Sequence, residues 1–189
     1  MKEFYEYLDL AKQMHKVEDK WPGMSLVEHL ETIDNIIEEH NIETSLDYGC
    51  GKARFHPLNW NFDKYDPAVP EFSNKPKKQY DLVISTDVME HIPRDGVDYV
   101  IEDIFKLAKK FVFVTVACRP AKNILPNGAN AHVTVENEDW WEPKFKKFSD
   151  QYGVSYKVIY IYKGKKVNPV EYLNNYYIKK GIKLKYEGR

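Results

Sequence analysis

Three short stretches hold the residues best suited to chemistry. Asp47-Tyr48-Gly49-Cys50-Gly51-Lys52-Ala53 sets a carboxylate and two glycines directly after an apolar run. A glycine-rich turn out of a strand lets backbone approach a ligand with no Cβ in the way, and a small residue at 53 lets a following helix sit close to the strand. Asp47, at the strand's carboxyl end, suits a positively charged ligand end and would repel a pyrophosphate. Nineteen residues on, Asp66 closes the next apolar run in Lys64-Tyr65-Asp66-Pro67. An acidic side chain there is placed to accept both ribose hydroxyls of an adenosine-bearing ligand, with an Asp-Pro turn as the plainer alternative. The third stretch, Tyr80 to Ile92, brings Thr86, Asp87, Glu90 and His91 to the same sheet edge.

The elements that must position these residues follow from periodicity. Short apolar runs at Thr44–Tyr48, Phe62–Asp66, Tyr80–Ser85 and Phe111–Ala117 read as strands of a mostly parallel sheet, and the last, lacking alternation, as a central strand covered on both faces. Val97, Val100, Ile101, Ile104 and Leu107 mark a crossover helix over 94–109. Ser25 and Glu28 form a capping-box signature for a helix over 25–40, preceded by a helix over 3–17 and a turn at Trp21-Pro22-Gly23. Farther on come a short helix over 139–148, a strand over 154–162, a segment at 169–180 compatible with helix or strand, and a last strand over 181–187. The expected fold is a Rossmann-like three-layer α/β sandwich, its sheet mostly parallel with a C-terminal antiparallel strand or hairpin, and with N-terminal helices acting as a lid.

A chain of 189 residues fits one domain, with 1–40 as lid, 44–117 as ligand-binding core and 118–189 as acceptor loop and terminal strands. Net charge is −1, yet residues 142–189 hold 12 Lys or Arg against 4 Asp or Glu. That excess reads either as a lysine-blunted edge hairpin or as a docking face for an anionic acceptor, nucleic acid included. Two cysteines, no apolar leader and no membrane-length run point to a soluble cytoplasmic protein with no membrane partner.

LDYGCG, KYDPA and YDLVISTDVMEHIP, in that order, resemble three motifs of the class I S-adenosylmethionine-dependent methyltransferases over residues 44–117. The resemblance implies that Asp47, Gly49 and Gly51 hold the amino-acid end of S-adenosylmethionine, that Asp66 holds its ribose, and that Thr86 and Asp87 flank its methionine chain. Its acceptor would be a small molecule or nucleotide. Only 14 residues separate Asp66 from Asp81, with Pro67, Pro70 and Pro76 among them, so a loop is expected where the family has a helix and a further strand; Pro57 shortens the helix after the first motif.

The segment 118–135 is expected to meet the acceptor through Arg119, Asn130 and His132, with Trp140 or Trp141 walling the pocket. His91 and His132 are the catalytic candidates, as bases or as ligands. Asp87, Glu90, His91 and His132 also resemble the metal-binding set of ubiquinone-biosynthesis O-methyltransferases and small-RNA 2′-O-methyltransferases, which would imply a divalent metal and an RNA acceptor. A non-catalytic S-adenosylmethionine-binding partner protein is the reading from another class, and an NAD-linked oxidoreductase is disfavoured by Asp47.

Overall fold

The computed structural model describes residues 1–18 and 20–182. The main elements run α1 (Lys2–His15), α2 (Leu30–Glu39), β1 (Ser45–Tyr48), β2 (Asp63–Tyr65), β3 (Tyr80–Thr86), α3 (Arg94–Leu107), β4 (Ala108–Ala117), α4 (Glu138–Tyr152), β5 (Ser155–Ile161) and α5 (Pro169–Lys179). The strands lie in the order β2-β1-β3-β4-β5, and every neighbouring pair is parallel. No helix among the described residues is long and apolar enough to cross a membrane.

Helices cover both faces, which gives the three layers of a Rossmann-like sandwich. Val112, Val114 and Val116 of β4 join Val83 of β3 against α3 and α4, where Trp141 and Phe145 are fully buried. Phe111 and Phe113 point the other way, with Leu82 and Ile84, onto Ile33 and Ile36 of α2. Successive side chains of a strand face opposite sides, so a strand apolar at every position needs both covers. Asn137 caps α4 through the Trp140 amide, and Gly153, in a left-handed conformation, ends it.

Several expectations change. Among the described residues the sheet is wholly parallel: β5 pairs in parallel with β4, and 169–179 is helical. Of the expected final antiparallel strand, Gly181 lies in a left-handed turn and residues from 183 on lie outside the described residues. The helix expected from Ser25 begins as a 3₁₀ turn over Ser25–His29, and the Ser25 side chain does not cap it. No helix follows the glycine motif either. Ala53 adopts φ +48 and its amide bonds back to Cys50, so the chain turns where a helix was expected to dock. Between Asp66 and Tyr80 there is only a 3₁₀ turn at Pro70–Phe72, as the proline-rich gap predicts.

α1 does not sit on the sheet. Its buried stripe of Tyr7, Ala11 and Met14 packs on Ala68, Leu125 and Ala131, all from loops at the sheet's carboxyl edge. Its free N-terminal amides are met in trans: Asp95, at the start of α3, accepts from the amides of Glu3 and Phe4, both at 3.1 Å. Asp95→Ala should therefore raise hydrogen exchange of the α1 amides severalfold while those of β3 and β4 keep their protection. Equal loss across helix and sheet would show that α1 is not a separately docked unit.

Candidate functional site

Strand order reverses direction between β1 and β3, so the loops leaving their carboxyl ends part company and open a cleft. A cavity of about 350 Å³ fills it, within the range of small-molecule sites. Gly49, Gly51, Asp66, Thr86, Asp87 and His91 line its floor. Tyr7, Ala11 and His15 of α1, with Trp21 to Ser25, form its roof.

Backbone geometry fixes the floor. Gly49 has φ +81, and a Cβ there would lie 2.4 Å from Val88 Cγ2. The Gly49 amide donates to the Tyr65 carbonyl at 2.7 Å and the Gly51 amide to Asp66 Oδ2 at 3.0 Å. Both donors are thus occupied within the fold, and the glycines offer close approach rather than hydrogen bonds. Roof and floor also meet backbone to backbone: Lys52 and Arg54 amides donate to the carbonyls of Trp21 and Pro22, and a Cβ on Gly23 would lie 2.4 Å from the Cys50 carbonyl oxygen.

The two acidic residues of the sequence motifs part company. Asp66 faces the cavity, with Oδ1 accepting the Ala68 amide at 2.8 Å and Oδ2 the Gly51 amide. Burial raises its pKa, against the pull of those amides. Asp47 is not among the cavity-lining residues. It is 2% exposed, and His56 Nε2 lies 2.7 Å from its Oδ2. His56 comes from the loop that replaces the expected helix; Pro57 hints at that break but not at the pairing.

Beside the cavity stands a second cluster. Asp87, at φ +60, donates its amide to Thr115 Oγ1 at 3.0 Å, and its Oδ2 accepts the Ser25 hydroxyl at 3.1 Å, the bond that takes Ser25 away from capping. Glu90 is 0% exposed; its Oε1 accepts the Ala117 amide at 2.8 Å, while Oε2 has no donor among the described residues. Burial and the Asp87 charge push the Glu90 carboxyl well above the carboxylate range. Burial would also raise Asp87, but the Glu90 hydrogen bond, the two imidazoles and Ser25 outweigh it and lower the pKa.

His91 and His132 are brought together, their rings 4.7 Å apart and edge to face. Each gives its Nδ1–H to a carbonyl, of Ala131 at 2.9 Å and of Arg119 at 2.6 Å, which leaves the lone pair on Nε2. Burial pushes His91 down to about 4 and lowers His132, so both are neutral at pH 7. A base with that affinity holds a proton poorly, and these are better ligands than bases. Asp87, Glu90 and His132 each present a ligand atom within 4.8 Å of the others, with His91 alongside. Two carboxylates and imidazole nitrogen form a donor set for magnesium, manganese or zinc, and the undonated Glu90 Oε2 leaves room for a cation to replace a proton.

Other expected contacts go elsewhere. Asn130 bonds Ala121 through both its oxygen and its nitrogen and accepts the His132 amide, so it shapes the loop rather than the pocket. Trp141 is core, and Trp140 lies under Arg94 and Lys144, outside the cavity. The roof residues Tyr7, Ala11 and His15 carried no sequence signal beyond helical spacing.

His15 gives the roof a pH dependence. Its Nε2 is 4.0 Å from Asp66 Oδ2, but burial first, then Lys52 and His91, push its pKa down to about 4, so the contact is not an ion pair at neutral pH. A histidine depressed by folding takes up its proton more readily when unfolded. Its stabilising share is complete above about 6.5 and is lost as pH falls to about 4, at most about 3 kcal/mol. Urea unfolding from pH 7 to 4 should show that fall, and His15→Gln should remove part of it, with His91 supplying a parallel part. An unchanged slope in the variant would contradict this assignment. The chain matches no family model, no curated protein and no solved structure, so the functional reading rests on the geometry of this site.

Proposed function

We propose that the chain is an S-adenosylmethionine-dependent methyltransferase acting on a hydroxyl of a small molecule or nucleotide. One observation carries the reading: the switch-point cavity joins a glycine loop to two carboxylates, Asp66 and Asp87, and no Lys or Arg stands among its described lining residues. A dinucleotide pyrophosphate would meet repulsion there, whereas an adenosine ligand with a cationic end meets attraction. Asp66 keeps lone pairs free beyond the two backbone bonds, enough to accept ribose hydroxyls. Asp47, held by His56 beneath the loop, adds negative potential rather than a direct contact. The α1 roof keeps water from the reacting centre, which in-line displacement rewards.

S-adenosylmethionine supplies a methyl group on sulfonium sulfur for in-line transfer to the acceptor oxygen. Asp87, Glu90 and His132 Nε2 would hold a divalent cation, which lowers the pKa of an acceptor hydroxyl when bound. The carbonyls of Ala131 and Arg119 fix the tautomers that this needs. Cys50 and Cys118 are both free, which suits a reducing, cytoplasmic setting.

Calorimetry with the demethylated cofactor, S-adenosylhomocysteine, should show saturable binding that Asp66→Asn weakens by roughly 1.5–3 kcal/mol, the scale of hydrogen bonds to a charged group. Tight NAD binding with no response to S-adenosylhomocysteine would overturn the reading. For the metal, Mn²⁺ titration followed by electron paramagnetic resonance should show one site, abolished in His132→Ala and Glu90→Gln and reversed by chelator. Equal binding by wild type and both variants would place the metal elsewhere.

A further inference from the structure

A second cavity, of about 410 Å³, opens at the carboxyl ends of β4 and β5 and shares Ser25 and Asp87 with the first. The hydroxyl-to-carboxylate contact of these two residues is the partition between the cavities. Arg119, Lys163 and Lys165 line the second cavity together with Asp87.

The charges there do not cancel. Lys165 is matched by Glu28 at 2.6 Å, and burial lowers the pKa of His29, leaving it neutral at pH 7. Arg119 donates one amino group to its neighbour's carbonyl, while its Nε is buried with no partner among the described residues. Neither Arg119 nor Lys163 has a carboxylate partner among the described residues. Elsewhere four lysines of the C-terminal region are matched by acids from earlier in the chain: Lys144 and Lys147 by Asp98, Lys179 by Glu31, Lys180 by Asp34. Of the two cavities, only this one carries Lys or Arg in its wall. A buried, undonated guanidinium nitrogen is costly to leave unmatched, and its natural match is an oxyanion.

We propose that this second cavity binds the phosphate group of a phosphorylated acceptor through Arg119 and Lys163, with the acceptor's hydroxyl end toward Asp87. The proposal deepens the methyltransferase reading of the adjoining cavity and rests on it. Two uncompensated cations match a phosphomonoester dianion; a carboxylate would be satisfied by one guanidinium fork alone. The lining supplies both kinds of group such an acceptor needs: cations for the phosphate, and a carboxylate to accept from a hydroxyl. Gly164 is part of the device, because a Cβ there would lie 2.9 Å from Arg119 Cζ and so displace the guanidinium.

The test is titration of the protein with inorganic phosphate, with and without saturating S-adenosylhomocysteine, following the Arg119 Nε–H resonance by ¹⁵N NMR. A saturable shift is expected, weakened about tenfold in Arg119→Lys and severalfold in Lys163→Gln. Gly164→Ala should weaken it with no change of charge. S-adenosylhomocysteine affinity should hold in all three variants. No saturable shift, acetate bound as tightly as phosphate, or variants that bind phosphate like wild type would each overturn the proposal. Phosphate bound at Arg119 by a protein that ignores S-adenosylhomocysteine would remove the methyltransferase reading and leave the anion site standing.

Discussion

Two carboxyl groups buried against one another cannot both ionise, and the Asp87–Glu90 pair lies where four parts of the chain meet. Burial and the Asp87 charge push the Glu90 pKa up, while at Asp87 burial is outweighed by the Glu90 hydrogen bond and the two imidazoles, which hold its pKa down. Glu90 Oε1 takes the amide at the end of β4, and its backbone carbonyl takes the amide of Thr134. Asp87 in turn holds Thr115 and Ser25. The ends of β3 and β4, the 118–135 loop and the N-terminal segment are therefore tied together through the hydrogen bonds of this one pair of residues.

The sequence made the floor of the site legible and the roof much less so. Glycine after a strand, an acid about 20 residues on, and a polar cluster after an apolar run are local patterns, set by what a strand end can present. The parallel sheet and α3 were readable for the same reason. The pairing of Asp47 with His56 was not legible, because His56 comes from a loop whose path has no periodicity. Ser25 looked like a cap because its alternative partner is 62 residues away. The His91–His132 pairing was readable only through fold resemblance, since nothing local joins residues 41 apart. The C-terminal charge excess hid its own partial cancellation, because the acids that match some of its lysines belong to the other part of the chain.

The roof is built differently from the floor. α1 carries no cap of its own and borrows Asp95, while Trp21 to Gly23 lie directly on the glycine loop. Lys52, from that loop, donates to the carbonyls of Val17 and Glu18, where α1 has ended. Anything that shifts the glycine loop thus shifts the segment leading to Ser25, and with it the partition between the two cavities. The two cavities are joined through one short stretch of backbone.

The missing helix between β1 and β2 has a consequence in time. The loop in its place is held by the far end of the chain: Tyr177 hydroxyl accepts the Leu58 amide, Tyr176 hydroxyl accepts from Asn59 and Trp60, and both tyrosines pack with Leu26, Val27 and Leu30. These contacts span 116 to 119 residues. Pairings so distant carry the largest loop-closure entropy and form late. During synthesis, then, β1 and β3 can pair long before the loop that delivers His56 to Asp47 is secured, and only when α5 leaves the ribosome is the floor of the cleft complete. The loop beneath the cleft is thus secured by contacts more distant than those that pair the strands.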